Sequence, residues 1–408
     1  MGRGSSPRRS GQRSAVRGRV VIVDPPDSGD VGHHAEVNNQ LKAAMAADGW
    51  QVEVWDGAML EGCGYVDPRH WADLGGTLHL ARRCALQLAK ALENARHNPA
   101  DAVDAWVVHT ALPFQLMGLA RVLREQPAAT VLVSLMFPPG ETLEGVAADA
   151  QAEGHARLAL AALAEAARQR GHRLEIWCPS RQNLDLYRPL LASAGLEAAG
   201  IHGAVVGAGV PVKAAGLPSR PGVLLHWGDL KPGKGRAAAL QVVAELLEGR
   251  PVPARLEGAT WLFHVHSREA LPEGERQLLE RAARDLAGFT WINGYVESRA
   301  MQQRLAACTV ALLAYDPTIY AQRSSGTLWC YGAARLAVGR PATAVGHGRG
   351  WLAREAAELG IGWRAAEGDW LAALGQAEEG EGFSTHGRAV LGTAFAQQMA
   401  QRLAAQES

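Results

Sequence analysis

Val223-Leu224-Leu225-His226-Trp227-Gly228-Asp229-Leu230-Lys231-Pro232-Gly233-Lys234-Gly235, running on into Arg236 to Glu248, contains a whole strand–turn–helix unit. Val223 to His226 is a short apolar run of the kind that forms a strand buried on both faces. Glycine, proline and lysine then break it. From Arg236 the spacing of Leu240, Val243, Ala244 and Leu247 predicts a helix with those residues on its buried face. The turn therefore lies where a strand ends and a helix begins. Glycines there let backbone approach a ligand, and a helix N-terminus offers unpaired N–H groups to an anion. Lys234 adds a point charge suited to phosphate, although the P-loop spacing G-x-x-x-x-G-K-[ST] is absent. An ordinary turn with solvated lysines explains this segment alone equally well.

The same alternation continues downstream. Strands are expected at Trp261 to Val265, Phe289 to Ile292, Val310 to Leu313 and Ala342 to Val345. Helices are expected at Glu273 to Asp285, Ser298 to Ala306 and Ser325 to Val338. It also holds upstream, with strands at Arg19 to Val23, Gln51 to Trp55, Ala105 to His109, Ala129 to Leu135, Leu174 to Cys178 and His202 to Val206. The reading is α/β, with two Rossmann-like parallel-sheet domains facing across a cleft. A disordered basic tail takes residues 1–18, an N-terminal domain 19–206, a Gly-Pro-rich linker 207–222, a C-terminal domain 223–385 and a terminal amphipathic helix 386–408. Val390, Leu391, Phe395 and Met399 would form that helix's apolar side.

Composition narrows the function. Forty-one basic side chains balance forty-one acidic ones, so no electrostatic case exists for nucleic acid. No apolar run approaches the ~20 residues of a membrane span. Arg3, Arg8, Arg9, Arg13, Arg17 and Arg19 precede no apolar core, so the start does not read as a secretory signal. The expected location is the cytoplasm, with weak contact at a membrane surface through the tail as the alternative. Cys63, Cys84, Cys178, Cys308 and Cys330 include no C-x-x-C pair and read as buried reduced thiols.

Four further groups carry chemistry. Tyr315-Asp316-Pro317-Thr318-Ile319-Tyr320-Ala321-Gln322-Arg323-Ser324-Ser325-Gly326 follows a buried strand and opens a helix. Either serine is a natural N-cap, but Arg323 beside two hydroxyls and Gly326 is more than a cap needs. Gly32-His33-His34 opens the first helix. One ring, assigned to His33, is read on a ligand and the other facing solvent, or the segment is a capped helix start with surface histidines; two adjacent rings point apart, so no shared metal is expected. His109-Thr110 ends a strand, where an imidazole serves as acid, base or donor, or is simply a satisfied rim histidine. His264 and His266 share a side by period two but have no third ligand. There is no G-x-S-x-G elbow, no G-x-G-x-x-G fingerprint and no Asp-x-Asp triplet.

Taken together, these turns resemble those of the GT-B glycosyltransferases, and among them the retaining nucleotide-sugar transferases. Gly228 to Gly235 looks like the family's turn with a lysine-glycine pair. Phe289 to Val296, with Tyr295, looks like the segment beside the donor's base. Val310 to Val345, closing in Gly339-Arg340-Pro341, looks like its donor-binding strand–turn–helix. Gly32-His33 resembles the glycine loop facing the donor phosphates, and Val107-Val108-His109 the strand that ends in histidine. The family's turn arginine falls on Asp229, and its paired glutamates fall near Gly326 and Ala334, so they are missing here. A subgroup with an arginine-serine-serine-glycine turn is the nearer match, with Arg323 standing in for the lost positive charge.

The resemblance implies a hexosyltransferase-type enzyme without cofactor. It would move a sugar from a nucleotide-diphosphate sugar, bound mainly by the C-terminal donor domain, to a glycan, lipid-linked or small-molecule acceptor at the N-terminal domain. It implies donor contacts from Gly32, His33, Lys234, Tyr295, Arg323, Ser324, Ser325 and Gly326, a catalytic part for His109, and no metal. The alternatives are a non-catalytic binding protein of the same fold, suggested by the absent glutamates, and a nucleotide-sugar epimerase.

Overall fold

The computed structural model describes residues 17–26, 33–64, 75–95, 102–139, 150–203, 207–229, 231, 233–266 and 271–405. Most of the basic tail, Gly32, the side chain of His33, Ala204 to Val206, Leu230 and Pro232 lie outside the described residues.

The N-terminal half builds β1 (Gly18–Asp24), α1 (His33–Ala47), β2 (Trp50–Asp56), α2 (Gly76–Ala95), β3 (Ala105–Val108), α3 (Pro113–Leu123), β4 (Thr130–Ser134), α4 (Ala150–Arg170), β5 (Arg173–Cys178), α5 (Arg181–Ser193) and β6 (Ala198–Ile201). Its six strands lie in the order β2-β1-β3-β4-β5-β6, every pairing parallel. Strand residues alternate between two cores. Val21, Val23, Trp106, Val108, Val131 and Val133 face one. Val20, Ile22, Ala105, Val107 and Leu132 face the other. A sheet buried on both faces is what the unbroken β-branched runs require.

The C-terminal half repeats the plan with β7 (Gly222–His226), α6 (Arg236–Leu247), β8 (Thr260–Val265), α7 (Glu273–Asp285), β9 (Phe289–Asn293), α8 (Ser298–Ala307), β10 (Val310–Leu312), α9 (Gly326–Ala337), β11 (Thr343–Gly346), α10 (Trp351–Leu359), β12 (Gly362–Ala365) and α11 (Trp370–Gly375). The strand order is β12-β11-β10-β7-β8-β9, again parallel throughout. Leu224, Ala311 and Leu313 face one core, and Val223, Leu225, Val310 and Leu312 the other.

Three local expectations need correction. Among the described residues the last strand of the first sheet is Ala198–Ile201, ahead of the expected start at residue 202, and residues 204–206 of that expectation lie outside the described residues. Its sequence lacks a β-branched run because the Trp177 ring occupies the space a side chain at residue 200 would need, with a Cβ there only 2.8 Å from it. On α6 the buried face is Ala238, Ala239, Val242, Val243 and Leu246, while Leu240 and Leu247 are only partly buried. Small residues meet the sheet and the longer leucines close the edges.

The expected single terminal helix is two, α12 (Thr385–Gly392) and α13 (Phe395–Ala404). They part at Thr393, whose backbone is extended. Val390 and Leu391 stay in a C-terminal core, while Phe395, Met399 and Leu403 complete the N-terminal one. Each of those three side chains contributes about 1.5–3 kcal/mol by burial, so the chain's end clasps the first domain firmly. Gln398 adds a hydrogen bond from its Nε2 to the His202 carbonyl at 2.9 Å.

Candidate functional site

In open parallel sheets, ligands settle outside the carboxyl ends of strands, at the point where strand order reverses. Each sheet has one such point. In the C-terminal sheet it lies between β7 and β10, and in the N-terminal sheet between β1 and β3.

The turns after β7 and β10 are joined to each other. Asp316 N donates to Gly233 O at 2.8 Å. Tyr315 Oη donates to Thr327 Oγ1, and Thr327 Oγ1 in turn to Trp227 O, both at 3.2 Å. Gly235 caps α6 with φ of 72°, and a Cβ there would stand 2.9 Å from the Ala314 backbone. Only glycine permits both that backbone and that approach. Lys234, beside it, is half-buried. Burial pulls its ammonium below the usual lysine range, against the charge of Asp229. His226 at the end of β7 is pushed down to about 3, by burial first and then by the Lys234 charge. It stays neutral, and its Nε2 has no partner.

On the second turn the two serines have separate duties. Ser325 is buried, and its Oγ accepts from Leu328 N at 3.2 Å as the N-cap of α9. Ser324 is half-buried, and its Oγ donates to both oxygens of Glu355, at 2.8 and 2.7 Å. Arg323 is half-buried immediately before them. Gly326 is exposed, and a Cβ there would meet nothing within 4 Å, so its lack of a side chain keeps the helix end open. Replacing Ser325 with alanine is expected to lower stability by about 1 kcal/mol through loss of the cap. Urea denaturation reads this, and an unchanged midpoint contradicts the capping role.

Tyr295, after β9, is 45% exposed, with its ring edge-on to His266 at 5.8 Å between centroids. Burial and then the charges of Glu36 and Glu297 raise its hydroxyl above the usual tyrosine range. Glu36 belongs to α1, so Tyr295 looks across at the N-terminal domain. His264 is buried against Trp227, with its Nε2 on Gly294 O at 2.8 Å. It serves the wall.

At the N-terminal switch point the ring read as facing solvent is not there. His34 is buried, with its Nδ1 3.0 Å from both oxygens of Asp24. Asn38 Nδ2 donates to Asp24 Oδ2 at 2.8 Å. His109 holds Asn38 Oδ1 at 2.9 Å and Thr110 Oγ1 at 2.9 Å through its two nitrogens, with Asp24 Oδ2 at 3.3 Å from Nε2. Burial raises the Asp24 carboxyl, but bonds to His109 and His34 and their charges outweigh it and hold the group well below the usual carboxylate range. With both nitrogens engaged, His109 has the geometry of a satisfied rim histidine that fixes its neighbours. The ligand atoms of Asp24, His34 and His109 lie within 4.8 Å of one another, the grouping among the described residues able to hold a cation. The hydrogen bonds account for that closeness without an ion.

Asp24, Asn38 and Glu355 were not singled out in the sequence. Each had a signal: Asp24 ends a strand, His34 and Asn38 are four apart on one helix face, and Glu355 falls in the apolar register of Trp351, Leu352, Ala356 and Leu359.

No protein-family model matches the sequence, and no curated protein is similar to it in sequence. Solved structures are similar in shape along nearly the whole chain. Sucrose-phosphate synthase from Thermosynechococcus elongatus superposes with a TM-score of 0.52 at 14% identity, covering 95% of each chain. An α,α-trehalose-phosphate synthase from Burkholderia xenovorans, in complex with glucose-6-phosphate, gives 0.52 at 14% identity, covering 94% of this chain and 95% of that one. HepE of Anabaena, in complex with UDP-glucose, gives 0.50 at 12% identity, over 95% and 99%. The chain has the GT-B fold. At these identities the likeness establishes the fold alone. The two sheets, each with its own switch point, and the terminal helix that returns to the first domain are how this sequence builds GT-B.

Among the described residues no helix is long and apolar enough to cross a membrane. All five cysteines are free and buried, as the sequence led one to expect.

Proposed function

We propose that this protein is a glycosyltransferase that moves a sugar from a nucleotide-diphosphate sugar to an acceptor held by the N-terminal domain. The observation that carries this reading is the joining of two anion-suited turns at one switch point. Lys234 and Arg323 stand on turns bonded through Asp316 N and Gly233 O, with the capped, open end of α9 beside them. Two cations and a helix N-terminus are the equipment for stabilising a departing diphosphate. Tyr295, exposed beside His266, would meet the base or sugar. Asp24, Asn38 and His109 form a rigid rim opposite, where domain closure excludes water. Nucleotide-sugar and sugar-phosphate ligands in the similar structures fit this division. Five buried thiols without a disulfide suit work in the cytoplasm.

A ligand that binds only the folded protein raises its melting temperature, by about 2.7 kcal/mol of stability at a hundredfold excess over Kd. In a panel of nucleotide sugars, one donor is expected to raise the melting temperature of this protein, and much less that of Lys234→Ala. No shift with any nucleotide sugar sinks the proposal. Binding without transfer or hydrolysis favours instead the non-catalytic reading, which the glycine and alanine at 326 and 334 support.

A further inference from the structure

We infer that binding of the donor diphosphate at the Arg323–Ser324 turn is coupled to uptake of one proton by Glu355. This rests on the nucleotide-sugar reading of that turn and goes beyond it. Glu355 sits on α10 with 1% of its surface exposed, and both its oxygens accept from Ser324 Oγ. The indole nitrogens of Trp329 and Trp351 border it without reaching hydrogen-bond geometry. Burial is the main influence on it, raising its carboxyl to about 7; Ser324 and the indoles of Trp329 and Trp351 lower it, and the charge of Glu358 raises it. The group thus changes charge near neutral pH.

Other charged groups stand on the elements around it. α12 carries His386 and Arg388, with Arg388 Nε on Phe383 O. β12 carries Arg364, bonded to Gln376. α9 carries Arg335, held by the carbonyls of Pro341 and Ala306. Arg323 and Arg354 are the remaining cations on the turn and on α10 itself. The further acids are Glu358 on α10 and Asp316 on the turn, whose Oδ1 accepts from Thr318 N at 2.8 Å.

A serine has one proton to donate. While Glu355 is ionised, Ser324 gives that proton to it, so an arriving phosphate oxygen meets a lone pair backed by a buried negative charge. Once Glu355 is protonated, its own O–H donates to Ser324 Oγ. The serine hydrogen is then free to turn to the phosphate, and the buried charge is gone. Anion binding and Glu355 protonation therefore favour each other, as linkage requires. Glu355 is a positioning residue that acts through Ser324.

UDP-glucose is a suitable probe, because its diphosphate lacks the ionisation near pH 6 of a terminal phosphate. Calorimetric titrations between pH 6 and 9, with each pH repeated in two buffers of different ionisation enthalpy, read both affinity and proton uptake. Affinity is expected to fall about tenfold from pH 6.5 to 8.5, with a proton taken up on binding. Glu355→Gln imitates the protonated acid, since its amide N–H donates to Ser324. It should bind at every pH as the native protein does at pH 6.5, with no buffer dependence. Ser324→Ala should bind more weakly and with a shallower dependence on pH, since only the charge of Glu355 then opposes the phosphate, and serves if the buried substitution does not fold. Binding by the native protein that is flat with pH, or pH dependence that survives in Glu355→Gln, overturns the coupling alone. No binding of UDP-glucose or of any other nucleotide sugar of the panel overturns the donor reading and the coupling together.

Discussion

Replacing Asp24 with alanine is expected to destabilise the protein by about 3–5 kcal/mol, the range for removing one partner from a buried charged network. Asp24 is fully buried and is approached by His34, Asn38 and His109. Without it, His34 and Asn38 lose their acceptor and His109 loses a neighbouring negative charge, and each buried unmet donor costs about 1–3 kcal/mol. Asp24→Asn keeps the shape but turns a donor toward other donors, so an intermediate loss is expected. The direction with pH follows from the depressed folded value. The contribution of Asp24 is fully present above the ordinary aspartate range and disappears as pH falls through the folded value below it. The gap in stability between the native protein and the alanine variant should therefore be constant above the ordinary aspartate range and close as pH falls toward the folded value. Urea denaturation at pH 7 and pH 2 measures both effects. A loss below about 1 kcal/mol at pH 7 would show that the network is not a structural keystone.

How much of this was legible in advance depended on the kind of force involved. Strands buried on both faces announce themselves as β-branched runs, and Val20 to Val23 or Val131 to Val133 left little choice. Turn chemistry was legible too, because glycines such as Gly235 are required by backbone angle and close contact at once. Edge elements were not. Ala198–Ile201 is short and small because it accommodates Trp177, a partner that only the fold supplies. The break at Thr393 was hidden because the apolar spacing of Val390, Leu391, Phe395 and Met399 suits one helix or two. In the site, residues attached to a turn were found and residues supporting it from behind were missed. Glu355 is thirty-one positions from the serine it holds, and nothing local marks that pairing.

Arg323→Ala is expected to lower kcat by about 10²–10³-fold, the usual cost of removing one preorganised group from a developing anion. The melting temperature should fall far less than the rate does, because Arg323 is half-buried and lies outside the apolar cores. Arg323→Lys should recover only part of the rate. A guanidinium spans two phosphate oxygens in fixed geometry, whereas an ammonium offers a point charge on a flexible stem. Lys234 already supplies a point charge on the neighbouring turn, so a second one adds little that is new. The two substitutions should also differ in where the loss appears. Lys234 is half-buried beside Asp229, where on the proposed reading it would meet the diphosphate as it docks, so Lys234→Ala should raise KM together with its effect on kcat. Arg323 stands beside the open end of α9, where on the proposed reading charge would grow as the sugar departs, so its loss should fall mainly on kcat. Steady-state rates with the donor selected by the melting panel separate these outcomes. Near-normal turnover in Arg323→Ala would move the diphosphate off this turn. The missing glutamates at 326 and 334 would then have no replacement in the second turn, and the binding-protein reading would stand.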